Sequence, residues 1–183
     1  MNENNSIILK PIELQEIDDE YISWYKNDDG LLNTFTSSRR EFNRESILDD
    51  FMQGENSGRW YYLMIIDKKT NKKIGNVKIG PIDIINKTSD LVCLIGDRAF
   101  HGKGLAKIAI AMASELAFQK YDIRKLHGGM YENNIAAIKA YTSAGWVVEG
   151  RLKGHYWVNG KSVDRILVAC FNPAYFGIEN IDC

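Results

Sequence analysis

His101-Gly102-Lys103-Gly104-Leu105-Ala106 is a glycine-rich loop that runs without a break into an amphipathic helix pattern. The first amides of a helix lack intrahelical acceptors and lie at the positive end of its dipole, where a phosphate settles. The backbone of residues 102–106 is therefore a candidate phosphate cradle, and Lys103 and Lys107 can add charge to it. Both lysines also fit an ordinary solvated helix start, and the glycines a tight strand-to-helix connection. Spacing excludes two common phosphate motifs. A P-loop needs glycine five residues before its Gly-Lys pair and a hydroxyl after it, but Asp97 and Gly104 stand there. A dinucleotide fingerprint needs glycine at position 107, which is Lys107. Farther along, Asn134 can cap a helix through its side-chain oxygen, and Tyr141 follows two turns later on the same face.

These residues must be held by strands and helices that the apolar pattern outlines. Residues 6–11, 60–66, 73–79 and 90–96 read as strands, with a hairpin turn over 67–71. Residues 13–25 and 45–52 read as helices, the first stopped by Asn27-Asp28-Asp29-Gly30. From Leu105, the positions Ile108, Ala109, Met112, Leu116 and Ala117 recur at three- and four-residue intervals, which predicts a helix packed on the preceding sheet. A strand over 123–130 returns the chain, and a helix from Asn133 or Asn134 stops at Gly145. Residues 146–157 and 162–171 then form a hairpin around Asn159-Gly160, a dipeptide suited to a type I′ turn. The fold class is mixed α/β.

Composition narrows the setting. The chain has 183 residues with 45% hydrophobic side chains, enough for one sizeable core and one domain. Its 23 basic and 24 acidic residues leave a net charge of -1, so no global field recruits nucleic acid or an anionic membrane. Cys93, Cys170 and Cys183 are scattered and include no CxxC pair, which points to buried thiols in a reducing compartment and to no metal site. Neither a leader nor a membrane span is visible, so the expected location is the cytoplasm.

The glycine loop resembles the acetyl-CoA pyrophosphate motif of the GNAT N-acetyltransferase superfamily, Q/R-x-x-G-x-G/A. Gly104 and Ala106 take its small positions, and His101 stands where Gln or Arg is usual. The run from Asn134 through Tyr141 to Gly145-Trp146 resembles the family's N-x-x-A/S-x-x-x-Y-x-x-x-G-F segment. Ile95-Gly96-Asp97, Glu149-Gly150-Arg151-Leu152, Asn159-Gly160 and Asp164 are similar to the branch of ribosomal-protein alanine acetyltransferases. Trp24 to Asp28 and Gly129-Met130-Tyr131 are similar to members that acetylate amino sugars on nucleotide carriers.

The resemblance implies a mostly antiparallel sheet of about seven strands with about four helices. About residues 1–87 would face the substrate, and about 88–171 would bind acetyl-CoA. It implies that Leu94, Ile95 and Gly96 lie on a strand that splays from its neighbour and pairs with pantetheine, one amide facing the thioester carbonyl. It places Asn134 near the thioester and makes Tyr141 a candidate proton donor to the leaving thiolate, although Tyr141 also fits a core position. With no cysteine near either motif in sequence, the implied route is direct transfer in a ternary complex. A non-catalytic acyl-CoA-binding module is the alternative.

Several relatives carry a glutamate five residues before the motif asparagine, and here that position is Gly129. Glu132, Asp90 and His155 remain as candidate bases, beside a water relay. A small amine such as an amino-sugar nucleotide would use Trp24, Tyr25, Asn27 and the loop over 34–40, with Arg39 or Arg40 on a phosphate and His155 at the hairpin. A protein N-terminus would instead call on an acidic groove around Asp28 and Asp29. The C-terminal hairpin is a candidate homodimer surface.

Overall fold

The apolar runs assemble into one seven-stranded sheet of order β1-β2-β3-β4-β5-β7-β6. The structure is a computed structural model that describes residues 6–26 and 42–177. The strands are β1 (Ile7–Pro11), β2 (Tyr61–Asp67), β3 (Lys72–Asp83), β4 (Thr88–Ile95), β5 (Lys125–Tyr131), β6 (Val147–Val158) and β7 (Lys161–Phe171). Every neighbouring pair is antiparallel except β4 and β5. The β6–β7 turn has the expected form, with Asn159 at φ 50° and Gly160 at φ 75°.

Five α-helices are described: α1 (Asp19–Ser23), α2 (Arg44–Ser57), α3 (Leu105–Tyr121), α4 (Ile135–Ser143) and α5 (Pro173–Phe176). The helix expected over 13–25 is broken into a 3-10 turn at Leu14–Glu16 and the short α1. Asp18 causes the break: its backbone is extended, and its carboxylate accepts the Tyr21 N–H at 3.0 Å, so a new helix starts there. Helix α2 runs beyond the expected end at Met52 to Ser57, where Gly58 closes it in the left-handed region. The unforeseen α5 follows the same capping logic, with Pro173 in its first turn and the Asn172 side chain accepting the Ala174 N–H at 3.0 Å.

Alternation along the strands gives the sheet two faces. On one, Leu63, Val77, Leu91, Leu126 and Val168 pack under Ala109, Ile110, Ala113 and Ala117 of α3 and Tyr141 of α4. On the other, Met64 and Leu94 join Tyr21 and Ile22 of α1, Trp24, and Ile47 and Phe51 of α2. This second cluster contains no residue of β5, β6 or β7. That half of the face carries His127, Glu149 and Arg165 instead, around a recess of about 280 Å³.

Candidate active site

Parallel pairing of β4 with β5 stops at Asp90 opposite His127, although β4 continues to Ile95 and β5 to Tyr131. The two strands therefore part toward their C-terminal ends. Helices α3 and α4 both start beyond those ends, so two positive dipole ends serve one crevice, the usual ligand position in an α/β sheet. Gly102 and Gly104 adopt φ 72° and 73°, and no atom lies within 4 Å of where a Cβ would stand at either. No side chain caps α3 at Gly104, which leaves its first-turn amides for a ligand oxygen. Lys103 rests its ammonium 4.7 Å above the Phe100 ring, and Lys107 is exposed.

His101, although exposed, bonds back to β4. Its Nε2 lies 2.8 Å from the Ile95 carbonyl oxygen and ties the glycine loop to the end of β4. The departure from Gln or Arg at this position thus has a structural role.

Hydrogen bonding fixes which backbone groups of β4 face the crevice. The Gly96 N–H donates to the Ile74 oxygen at 2.8 Å, and the Leu94 carbonyl closes against Gly75, so both turn toward β3. Alternate residues present their groups to the opposite edge. Leu91, Cys93 and Ile95 therefore face the crevice, with the Leu91 oxygen accepting from Tyr141 and the Ile95 oxygen from His101. Of the three backbone positions expected from the sequence, only Ile95 is so placed. Leu91 and Cys93 were missed because the open edge depends on register, which the apolar run does not encode.

Tyr141 fills the inner end of the crevice. Its hydroxyl donates to the Leu91 carbonyl at 2.8 Å, and its ring meets Trp146 edge to face at 4.8 Å. Burial pushes the phenol well above its ordinary pKa, while the facing Cys93 amide favours the ionised form. Cys93, remote in sequence, is thus a spatial neighbour of Tyr141. Burial pushes its thiol up to about 12, so it stays protonated and is a poor acyl carrier. Asn134 caps α4, its side-chain oxygen accepting the Ala137 N–H at 3.1 Å.

Other expected residues are placed differently. Glu132 pairs with Arg151 and accepts the Asp164 N–H at 3.1 Å, so both its oxygens are engaged in holding β6 to β7. His155 is exposed on β6, edge to face with Tyr156. Trp24 is 5% exposed and packs against Gly96, where a Cβ would overlap its ring. Tyr25 is held by Asn76 Nδ2 at 2.9 Å and by Tyr21. Trp24 and Tyr25 therefore back β3 and β4 as core aromatics rather than forming an open wall. Asn27, Asp28, Asp29, Arg39, Arg40 and Cys183 lie outside the described residues. Gly129 has a counterpart the sequence did not suggest: a Cβ there would overlap the guanidinium of Arg165 on β7. Among the described residues no group of three or more His, Cys, Asp or Glu side chains could hold a metal, and no helix is long and apolar enough to cross a membrane.

Comparison with known proteins agrees with this geometry. Residues 6–147 match the model of the acetyltransferase (GNAT) domain. Spermidine N(1)-acetyltransferase of Escherichia coli K12 is 24% identical over 172 residues, covering 93% of this chain and 89% of that protein. The structure of spermidine N-acetyltransferase from Vibrio cholerae in complex with CoA and spermine superposes with a TM-score of 0.77 at 19% identity, covering 92% of this chain and 96% of that one. Ribosomal-protein-S5-alanine acetyltransferase from Vibrio fischeri gives 0.77 at 20% identity, covering 93% and 95%. These two structures share the fold. Since the family match spans both the glycine loop and the Asn134 segment, the chain belongs to the GNAT acetyltransferases.

Proposed function

We propose that the chain, acting as one domain, transfers the acetyl group of acetyl-CoA directly to the primary amine of a small molecule in a ternary complex. The observation that carries this reading is the parting of β4 from β5 beyond Asp90 and His127, with the Tyr141 hydroxyl inside the crevice. The amides of Leu105, Ala106 and Lys107 receive the pyrophosphate, and the Cys93 and Ile95 amides pair with pantetheine or polarise the thioester carbonyl. A neutral amine nitrogen bonds to that carbonyl carbon, the carbon–sulfur bond breaks, and the Tyr141 hydroxyl supplies the thiolate's proton and takes one back from water before the next turnover. With Gly129 lacking a carboxylate and Glu132 engaged, water carries the ammonium proton away. Asp90 and His127 Nδ1, paired at 2.9 Å at the point of parting, together start the relay. The burial that raises the Cys93 thiol pKa supports direct transfer over an acyl-enzyme.

An amino sugar on a nucleotide carrier is the acceptor favoured by the runs Trp24 to Asp28 and Gly129 to Tyr131. The spermidine acetyltransferase relatives favour a polyamine as the second reading. The enzyme would work in the cytoplasm, and two copies would associate through the β6–β7 hairpin, whose edge strand exposes Val148 and Leu152. Release of free CoA thiol from acetyl-CoA, followed across amino-sugar nucleotides, polyamines and N-terminal peptides, tests the assignment. Turnover with a small amine is expected. Tight CoA binding with no turnover of any acceptor would leave an acyl-CoA-binding module.

A further inference from the structure

Arg165 lines the recess on the half of the second sheet face that no helix covers among the described residues, beside Thr88, His127, Glu149 and Leu167. It stands opposite Tyr131 on β5, and its guanidinium lies over Gly129, past the point where β5 has left β4. Its Nε is buried and has no hydrogen-bond partner among the described residues. The neighbouring carboxylates are committed elsewhere: Asp90 to His127, Glu149 to Lys125, and Glu132 and Asp164 to Arg151. A buried N–H donor without a partner is costly, and the fold retains one at Arg165 Nε where the crevice opens onto sheet that no described helix covers. The opposite face is closed by the packing of α3 and α4, so an amine reaches the thioester from the side that Arg165 borders.

We propose that Arg165 is a specificity-determining residue that binds an anionic group, carboxylate or phosphate, carried by the acceptor amine. The guanidinium fork matches either anion in a bidentate geometry, and a recess of about 280 Å³ suits a small group rather than a whole nucleotide. Gly129 is part of the same device, since the missing side chain leaves Arg165 its place over β5. A glutamate there would neutralise the guanidinium. A wholly cationic acceptor such as a polyamine would bring like charge to Arg165 and be disfavoured. The inference rests on the acetyl-transfer reading and narrows its substrate.

The test compares acceptors with and without the anion, each KM expressed on the concentration of unprotonated amine. Glucosamine 6-phosphate against glucosamine probes phosphate, and an amino acid against its amide probes carboxylate, with spermidine as the cationic arm. The anionic member of at least one pair is expected to have a KM at least tenfold lower. Arg165→Met should erase that preference while leaving kcat for the neutral member unchanged, and Arg165→Lys should restore part of it. Gly129→Glu should erase it too. An equal KM within both pairs in the wild type, or a preference unaltered in Arg165→Met, overturns the proposal. Because the wild-type comparison needs no variant, a misfolded mutant does not shelter it. Should no amine be turned over, acetyl transfer fails separately, and calorimetric titration of both anionic probes still decides the subsite. Binding of either probe that is lost in Arg165→Met supports it, whereas no binding, or equal binding by wild type and variant, overturns it.

Discussion

Tyr141 does two jobs in one position, which makes its substitution informative. Removing the hydroxyl deletes a buried bond to Leu91 and should cost about 1 kcal/mol of stability. If the same hydroxyl protonates the thiolate, Tyr141→Phe should also lower kcat on the order of 10²-fold, with little change in CoA affinity measured by calorimetry. Wild-type turnover in that variant would remove Tyr141 from the chemistry and leave it a core residue. His101 makes a different prediction, since it holds the loop through the Ile95 carbonyl. His101→Gln keeps a donor for that oxygen and should bind acetyl-CoA normally, whereas His101→Phe should raise its KM several-fold with kcat little changed. Tyr141 and Asn134 could be picked from sequence because seven residues make two helical turns. Cys93 and Arg165 could not, because each meets its partner only across strands.

Elements defined by local rules were legible, and those defined by competition were not. Helices α3 and α4 declare themselves by apolar spacing and by Gly104, Asn134 and Gly145 at their ends. The segment over 13–25 has similar spacing, yet Asp18 diverts it by capping a second, shorter helix. The two helix-end glycines offer a controlled comparison. Gly104 at φ 73° and Gly145 at φ 88° both have open space where a Cβ would go, so Gly104→Ala and Gly145→Ala should each destabilise by about 1 kcal/mol through backbone strain alone. Only Gly104→Ala should also weaken acetyl-CoA binding. Equal affinities in both variants would detach the loop from the phosphate role.

Across the whole molecule, stability should fall on the acid side. Asp67, Asp83, Asp122 and Asp164 all have pKa values held below the ordinary carboxylate value. The leading causes are the Thr70 hydroxyl, the Asn86 amide, the Lys87 ammonium and the Gly154 amide, respectively. Their unfolded-state pKa is about 3.9, so between the two values the unfolded chain binds more protons and stability rises with pH. The contribution is complete above the unfolded value and disappears as pH drops through the lower folded values. Urea midpoints followed by circular dichroism should change little from pH 7 to about 5 and fall steeply below about 4. A midpoint that stays level to pH 3 would contradict this.

Read alone, the chain already specified its α/β class, its strand–loop–helix succession, the glycine loop and the Asn134 to Trp146 segment, because each is written in neighbouring residues through periodicity, capping and turn chemistry. Three matters waited for the folded sheet: where β4 leaves β5, which backbone edge of β4 that exposes, and that Arg165 lies over Gly129. All three are relations between residues far apart in the chain. A strand's residues are the same whichever register it adopts, and only packing against its neighbours selects one.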